Sequence, residues 1–217
     1  MNNQSIDSKL LATEITLTNA LTNEAIKTAM AIYGYDETKF LAAKAMLDDT
    51  KIKHANQQKE YAEQYDLTGQ IESQQAQLRK TLIKFAQIGR VIFKDDIKAL
   101  NALGIKGRVL QTYSAFTQQA AKFVHNVLED ANFLQTYAQF GINQEDFEDF
   151  RVQVDQLIKN LASRDTEVGE AQQATQLRDN ALEELMDWMS DFKVFARIAL
   201  EQQPQMLEAL GIVEPSE

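Results

Sequence analysis

His54 and His125 are the only two imidazoles in this chain, and no cysteine accompanies them. A helical di-iron centre needs two Glu-x-x-His motifs and two further glutamates on facing helices. Lys51 stands three residues before His54, and Lys122 three before His125, so that motif is absent. His125 and Glu129 are four apart and could share a helix face, but two ligands do not make a metal site. Nucleophilic chemistry fares no better. The sequence has no thiol, no Gly-x-Ser-x-Gly elbow and no glycine-rich phosphate loop. Acidic neighbours such as Glu145/Asp146, Glu148/Asp149 and Glu183/Glu184 point about 100° apart on a helix, which makes a solvated face rather than an acid–base dyad. We therefore expect no catalytic residue, no metal and no cofactor.

The most pointed polar pattern is a repeated one. Arg90 and Arg197 each follow a phenylalanine by five positions, after Phe85 and Phe192. Glu60 and Glu63 recur as Glu167 and Glu170 at the same spacing upstream. A Glu–Arg pair bridging facing helices, used once per copy, would fix register. Exposure or an ordinary salt bridge is the plainer reading of these charges. A third reading is an anion site built from both arginines. Trp188 lies among Met186, Met189, Phe192 and Phe195. A methionine–aromatic group at helical spacing usually belongs to a core, although Trp188 could also mark a patch for a partner.

These residues recur because much of the chain does. Residues 33–105 align without a gap on 140–212 at a shift of 107, with Leu100, Ala102, Leu103, Gly104 and Ile105 matched by Leu207, Ala209, Leu210, Gly211 and Ile212. Two copies of one supersecondary unit follow, residues 1–107 and 108–217. The link Lys106-Gly107-Arg108 is too short for independent domains, so one shared core is expected.

Within each copy the elements that would carry these side chains are helices. Only two prolines and eight glycines interrupt 217 residues, and the apolar share is 44%. The pattern predicts a helix over about 7–33, capped by Ser5 or Asp7 and broken at Gly34, and its counterpart over about 109–139, broken at Gly141. After Asp36 and Asn143 a 3–4 apolar rhythm continues for about 55 residues, roughly 80 Å of helix at 1.5 Å per residue. Asp66–Gly69 is a fair turn signal, but the second copy reads Gln-Ala-Thr-Gln at 173–176, which favours a single long helix. A short helix closes each copy, capped by Asp95 or Asp96 in the first and opened by Pro204 in the second.

The fold class is thus all-α: an elongated antiparallel, four-helix-like bundle built from a tandem duplication. The formal net charge is −10, carried as +1 over 1–107 and −11 over 108–217. Nucleic-acid backbones and anionic membranes need clustered cations, so neither is an expected partner. No stretch is apolar enough to span a bilayer, the first residues lack a signal-peptide core, and the absence of cysteine suits the cytoplasm. The sequence reads as a non-catalytic structural or protein-interaction bundle that binds another protein or forms a homodimer. The alternative is a carrier with a cavity for a small apolar ligand between its helices.

Overall fold

The computed structural model describes residues 4–212. Among them there are eight helices and no strand. In order they are α1 (Ile6–Thr22), α2 (Glu24–Ala31), α3 (Glu37–Ile92), α4 (Ile97–Ala102), α5 (Tyr113–Glu129), α6 (Ala131–Ala138), α7 (Gln144–Ala199) and α8 (Pro204–Ala209). Their lengths run 17, 8, 56 and 6 residues, and then 17, 8, 56 and 6 again. Every boundary of the second set lies 107 positions after its counterpart in the first.

The caps explain the bounds. Ser5 opens α1 by accepting from the Ser8 amide, Asp36 opens α3 through the Lys39 amide, and Asp96 opens α4 through Ala99. These satisfy amides that have no partner within their own helix. At the start of α7 the Asp146 carboxylate accepts from the Asn143 amide, the reverse arm of a capping box. The two long helices are continuous through Asp66–Gly69 and through Gln173–Gln176. The expected helices over 7–33 and 109–139, in contrast, are each divided. Asn23 turns out of α1 with extended backbone, and its side chain accepts from Ala25 and Ile26 to start α2. Asp130 does the same between α5 and α6. Asn and Asp bond locally to backbone, and here that competes successfully with helix continuation. Gly34, Gly104, Gly141 and Gly211 hold positive φ at four helix ends, where a side chain would be strained.

The chain packs as two compact units, Met1–Tyr61 with Glu170–Glu217, and Ala62–Gly169. Instead of the single core expected, the buried apolar residues form two clusters, one in each unit. Each cluster nevertheless draws on both sequence halves. In unit 1, Leu17 of α1, Met30 of α2 and Phe40 of α3 meet Phe192 of α7 and Leu207 of α8. In unit 2, Phe85 of α3 and Leu103 meet Phe123 of α5, Tyr137 of α6 and Phe147 of α7.

Within each unit α3 and α7 run antiparallel. In unit 1 Phe40 lies 5.8 Å from Phe192 (ring centroids), and Thr50 donates to the Ala181 carbonyl. In unit 2 Phe85 lies 5.0 Å from Phe147, and Asn160 donates to Gln74. Phe147 and Phe192 are the shifted counterparts of Phe40 and Phe85, so one aromatic pair recurs in both units with its halves exchanged.

One packing pair differs between the units. Tyr137 is fully buried, and its hydroxyl donates to the Phe85 carbonyl. It reaches that carbonyl over Gly89, where any Cβ would collide with the Tyr137 hydroxyl and lie 2.6 Å from Ile105 Cδ1. The corresponding positions in unit 1 are Met30 and Ala196, both fully buried. Tyrosine with glycine in one unit corresponds to methionine with alanine in the other, which keeps the summed side-chain volume close to constant.

Candidate functional site

The polar side chains singled out by the repeat go to different places. Arg90, half-buried on the last turn of α3, donates from Nε to the Ile105 carbonyl at 2.6 Å and from Nη2 to the Gly107 carbonyl. It therefore closes the segment after α4 by binding main chain, where exposure or an ordinary salt bridge was the plainer reading and a Glu–Arg bridge the more pointed one. Arg79 acts alike on the carbonyls of Val109 and Leu110. A guanidinium suits this work because its donors lie in one rigid plane. Sequence reasoning passed over Arg79, which occupies the position of Met186 in the second copy and so carries no repeat signal. Arg197 is exposed.

Glu60 is half-buried on α3, and its carboxylate lies 3.7 Å from the Lys59 ammonium. Glu170 reaches it from α7, so that carboxylate oxygens of the two lie within 4.8 Å. Both line an open groove of unit 1, about 460 Å³ in volume, together with Lys53, Asn56, Gln173 and Leu177. Glu167 stands one helical turn before Glu170 and is half-buried, while Glu63 is exposed. The groove holds neither histidine nor cysteine. Calcium takes about six to eight oxygen ligands, and the few carboxylates gathered here fall well short of that. Lys53 lies on the same groove, so its charge is mixed. The arrangement suits a solvated polar seam better than a reaction centre.

Trp188 joins the aromatic group of unit 1. Its indole stacks on Phe192 at 5.4 Å and 8°, and meets the edge of Tyr35 at 5.7 Å. The ring is half-buried. Burial, and to a lesser degree the nearby Asp191 charge, pushes the Tyr35 phenol above its ordinary range. Lys39 sits over the Tyr35 ring at 3.8 Å. Trp188 is thus a packing residue of this stack.

His54 and Asp7 form a second polar pair. His54 Nε2 lies 3.2 Å from the Asp7 carboxylate and 3.2 Å from Gln58 Nε2, while its buried Nδ1 has no partner among the described residues. Nearby, Glu14 of α1 meets Lys51 of α3 at 2.8 Å, and the bond from that ammonium holds the Glu14 carboxyl below its ordinary range. Both contacts tie α1 to α3. Neither is set in a pocket that excludes water.

Apolar side chains on the outside of unit 1 make the other feature. Val194 and Ile198 of α7 are 53% and 51% exposed, and Phe195 between them is 37% exposed. The Tyr33 ring lies 6.4 Å from that of Phe195 and extends the same surface. Among the described residues no helix is long and apolar enough to cross a membrane. No protein-family model, curated protein or solved structure matches the chain.

Proposed function

We propose that this chain is a non-catalytic helical scaffold, produced by tandem duplication of a unit of about 107 residues, that binds another protein through the outer face of α7 in unit 1. The duplication is supported by eight helix boundaries that all repeat at the shift of 107 and by the recurring Phe40/Phe192 and Phe85/Phe147 pairs. The observation that carries the binding role is the exposed group Val194, Phe195, Ile198 and Tyr33. Single exposed apolar residues are ordinary, but a contiguous group on a regular helix is the surface a partner helix uses. Among the described residues the grooves beside Glu60 and beside His54 are open, which favours a non-catalytic reading, and we place the protein in the cytoplasm on its lack of cysteine.

The test compares the wild type with the double variant Val194→Glu and Ile198→Glu. Both substitutions lie on exposed positions and leave the buried stripe of α7 untouched. Sedimentation across a wide concentration range measures self-association, and crosslinking in the native host captures partners. Loss of the oligomer or of a crosslinked partner in the variant supports the proposal. A wild type that stays monomeric and whose crosslinks survive the double substitution sinks it.

A further inference from the structure

The two units differ in the space beneath their first helices. In unit 2, α5 sends Phe116 and Phe123 into the core, both fully buried, and Phe123 stacks on Phe85. The matching positions on α1 are Lys9 and Thr16. Thr16 cannot fill the room of a phenyl ring. It is buried, and its hydroxyl is spent on the carbonyls of Ala12 and Leu210. A pocket of about 230 Å³ remains in unit 1, lined by Lys9, Thr13, Thr16, Met186, Met189 and Lys193.

Two lysines reach this one pocket, and both replace buried apolar residues of the other unit. Lys9 stands for Phe116 and Lys193 for Ala86, each fully buried in unit 2. Lys9 is half-buried and Lys193 is exposed, and they share the lining with threonine and methionine side chains. No carboxylate is among the described residues lining it. Lysine presents an apolar stem to such a wall and its ammonium to the opening. Methionine adapts its shape to an irregular guest and favours contact with rings. An apolar cavity of about 150 Å³ is enough to take up benzene, so this pocket has room for a ring with a short tail.

We infer that this pocket beneath α1 binds a small monocarboxylate with an apolar body the size of a phenyl ring or a short acyl chain, with the body against Met186 and Met189 and the carboxylate between Lys9 and Lys193. The site is separate from the partner surface proposed above. It belongs to unit 1 alone, because Phe116 and Phe123 occupy the equivalent space in unit 2.

Titration of the full chain with 3-phenylpropionate and with the neutral 3-phenylpropan-1-ol, followed by isothermal calorimetry and by NMR shifts of the methionine methyls, tests the inference. We expect the acid to bind with a Kd below about 1 mM and the alcohol at least about tenfold more weakly. Lys9→Gln combined with Lys193→Gln should reduce the acid to the level of the alcohol. Thr16→Phe, which imitates Phe123, should abolish binding of both. Should Thr16→Phe unfold, the surface double variant decides by itself. Absence of acid binding at about 10 mM, equal affinity for acid and alcohol, or acid binding unchanged by loss of both lysines would each overturn the inference.

Discussion

Gly89→Ala puts the packing account of unit 2 at risk. Taken as a helix alone, α3 should welcome the change. Glycine inside a helix costs about 1 kcal/mol relative to alanine. The structure requires the opposite sign. A methyl at position 89 would enter the space of the Tyr137 hydroxyl and lie 2.6 Å from Ile105 Cδ1. Ile105 is 2% exposed and Tyr137 0%, so neither can swing into solvent. Overpacking of this kind costs about 1–3 kcal/mol. Tyr137 must also leave the Phe85 carbonyl, and a buried hydroxyl without a partner costs about 1–3 kcal/mol more. Set against the gain in propensity, the net effect is a loss of about 1–5 kcal/mol.

Urea unfolding followed by circular dichroism measures it. Fluorescence alone is unsuitable, because the single tryptophan, Trp188, reports on unit 1. The second arm is Gly89→Ala combined with Tyr137→Met, which installs in unit 2 the pair that unit 1 holds as Met30 and Ala196. The double variant should be more stable than the sum of its single effects predicts, by about 1 kcal/mol or more. An unchanged or raised midpoint for Gly89→Ala would show that helix propensity decides this position. The contact between Gly89 and Tyr137 would then be wrong.

Three further outcomes follow from particular contacts. Burial raises the Tyr137 phenol above its ordinary range, and Tyr35 is raised likewise. The folded protein therefore holds these protons more tightly, so their contribution is complete below about pH 10 and is lost as pH rises beyond it. Tyr137→Phe should cost about 1 kcal/mol near neutrality through the lost bond to Phe85, and the deficit should shrink in alkaline solution. A deficit constant from pH 8 to about pH 11 would contradict the burial argument. Asn23→Ala removes the acceptor for the Ala25 and Ile26 amides and should lower stability by about 1 kcal/mol, with Asn23→Asp keeping most of it; equal midpoints for the two variants would rule out capping. A fragment of residues 1–107 carries Phe40 and Phe85 without Phe147 and Phe192, so it should sediment as a dimer in which each copy supplies the other's missing half. A folded, monomeric fragment would refute the reciprocal packing.

Much of the helix plan was legible because it rests on local chemistry. The positive-φ glycines 34, 104, 141 and 211 stand at the expected ends, and the lack of a turn signal at Gln173–Gln176 carried the long helix past Asp66–Gly69. The breaks at Asn23 and Asp130 were missed because apolar periodicity continues on both sides of each. The available signal was a capping residue directly before a new first turn, as in Asn23-Glu24. The division into two cores was not legible at all. Periodicity tells which face of α3 is buried but not which residues cover it, and Phe40 and Phe85 show the same pattern while meeting Phe192 and Phe147. The main-chain role of Arg90 was not legible for a related reason. Repetition marks a position as constrained, and for Arg90 the constraint is the pair of carbonyls after α4.

A repeated helix plan invites the search for function in what both halves keep. Here the kept residues are chiefly turn glycines, core phenylalanines and helix-end leucines, each explained by packing or backbone geometry. The differences divide into two kinds. Tyr137 with Gly89 against Met30 with Ala196 is compensated, large against small, and leaves both cores closed. Phe116 and Phe123 against Lys9 and Thr16 is not compensated at that place, since a pocket remains and two cations line it. Two fewer buried rings leave a weaker core, and a gain outside folding would offset that cost. A ligand that fills the pocket would supply that gain, because binding to the folded state alone raises its stability. Thr16→Phe separates the two explanations. If the space is only a packing defect, the substitution stabilises unit 1 with no other effect. If it serves a ligand, the same substitution stabilises the free protein and removes the stabilisation that 3-phenylpropionate gives the wild type.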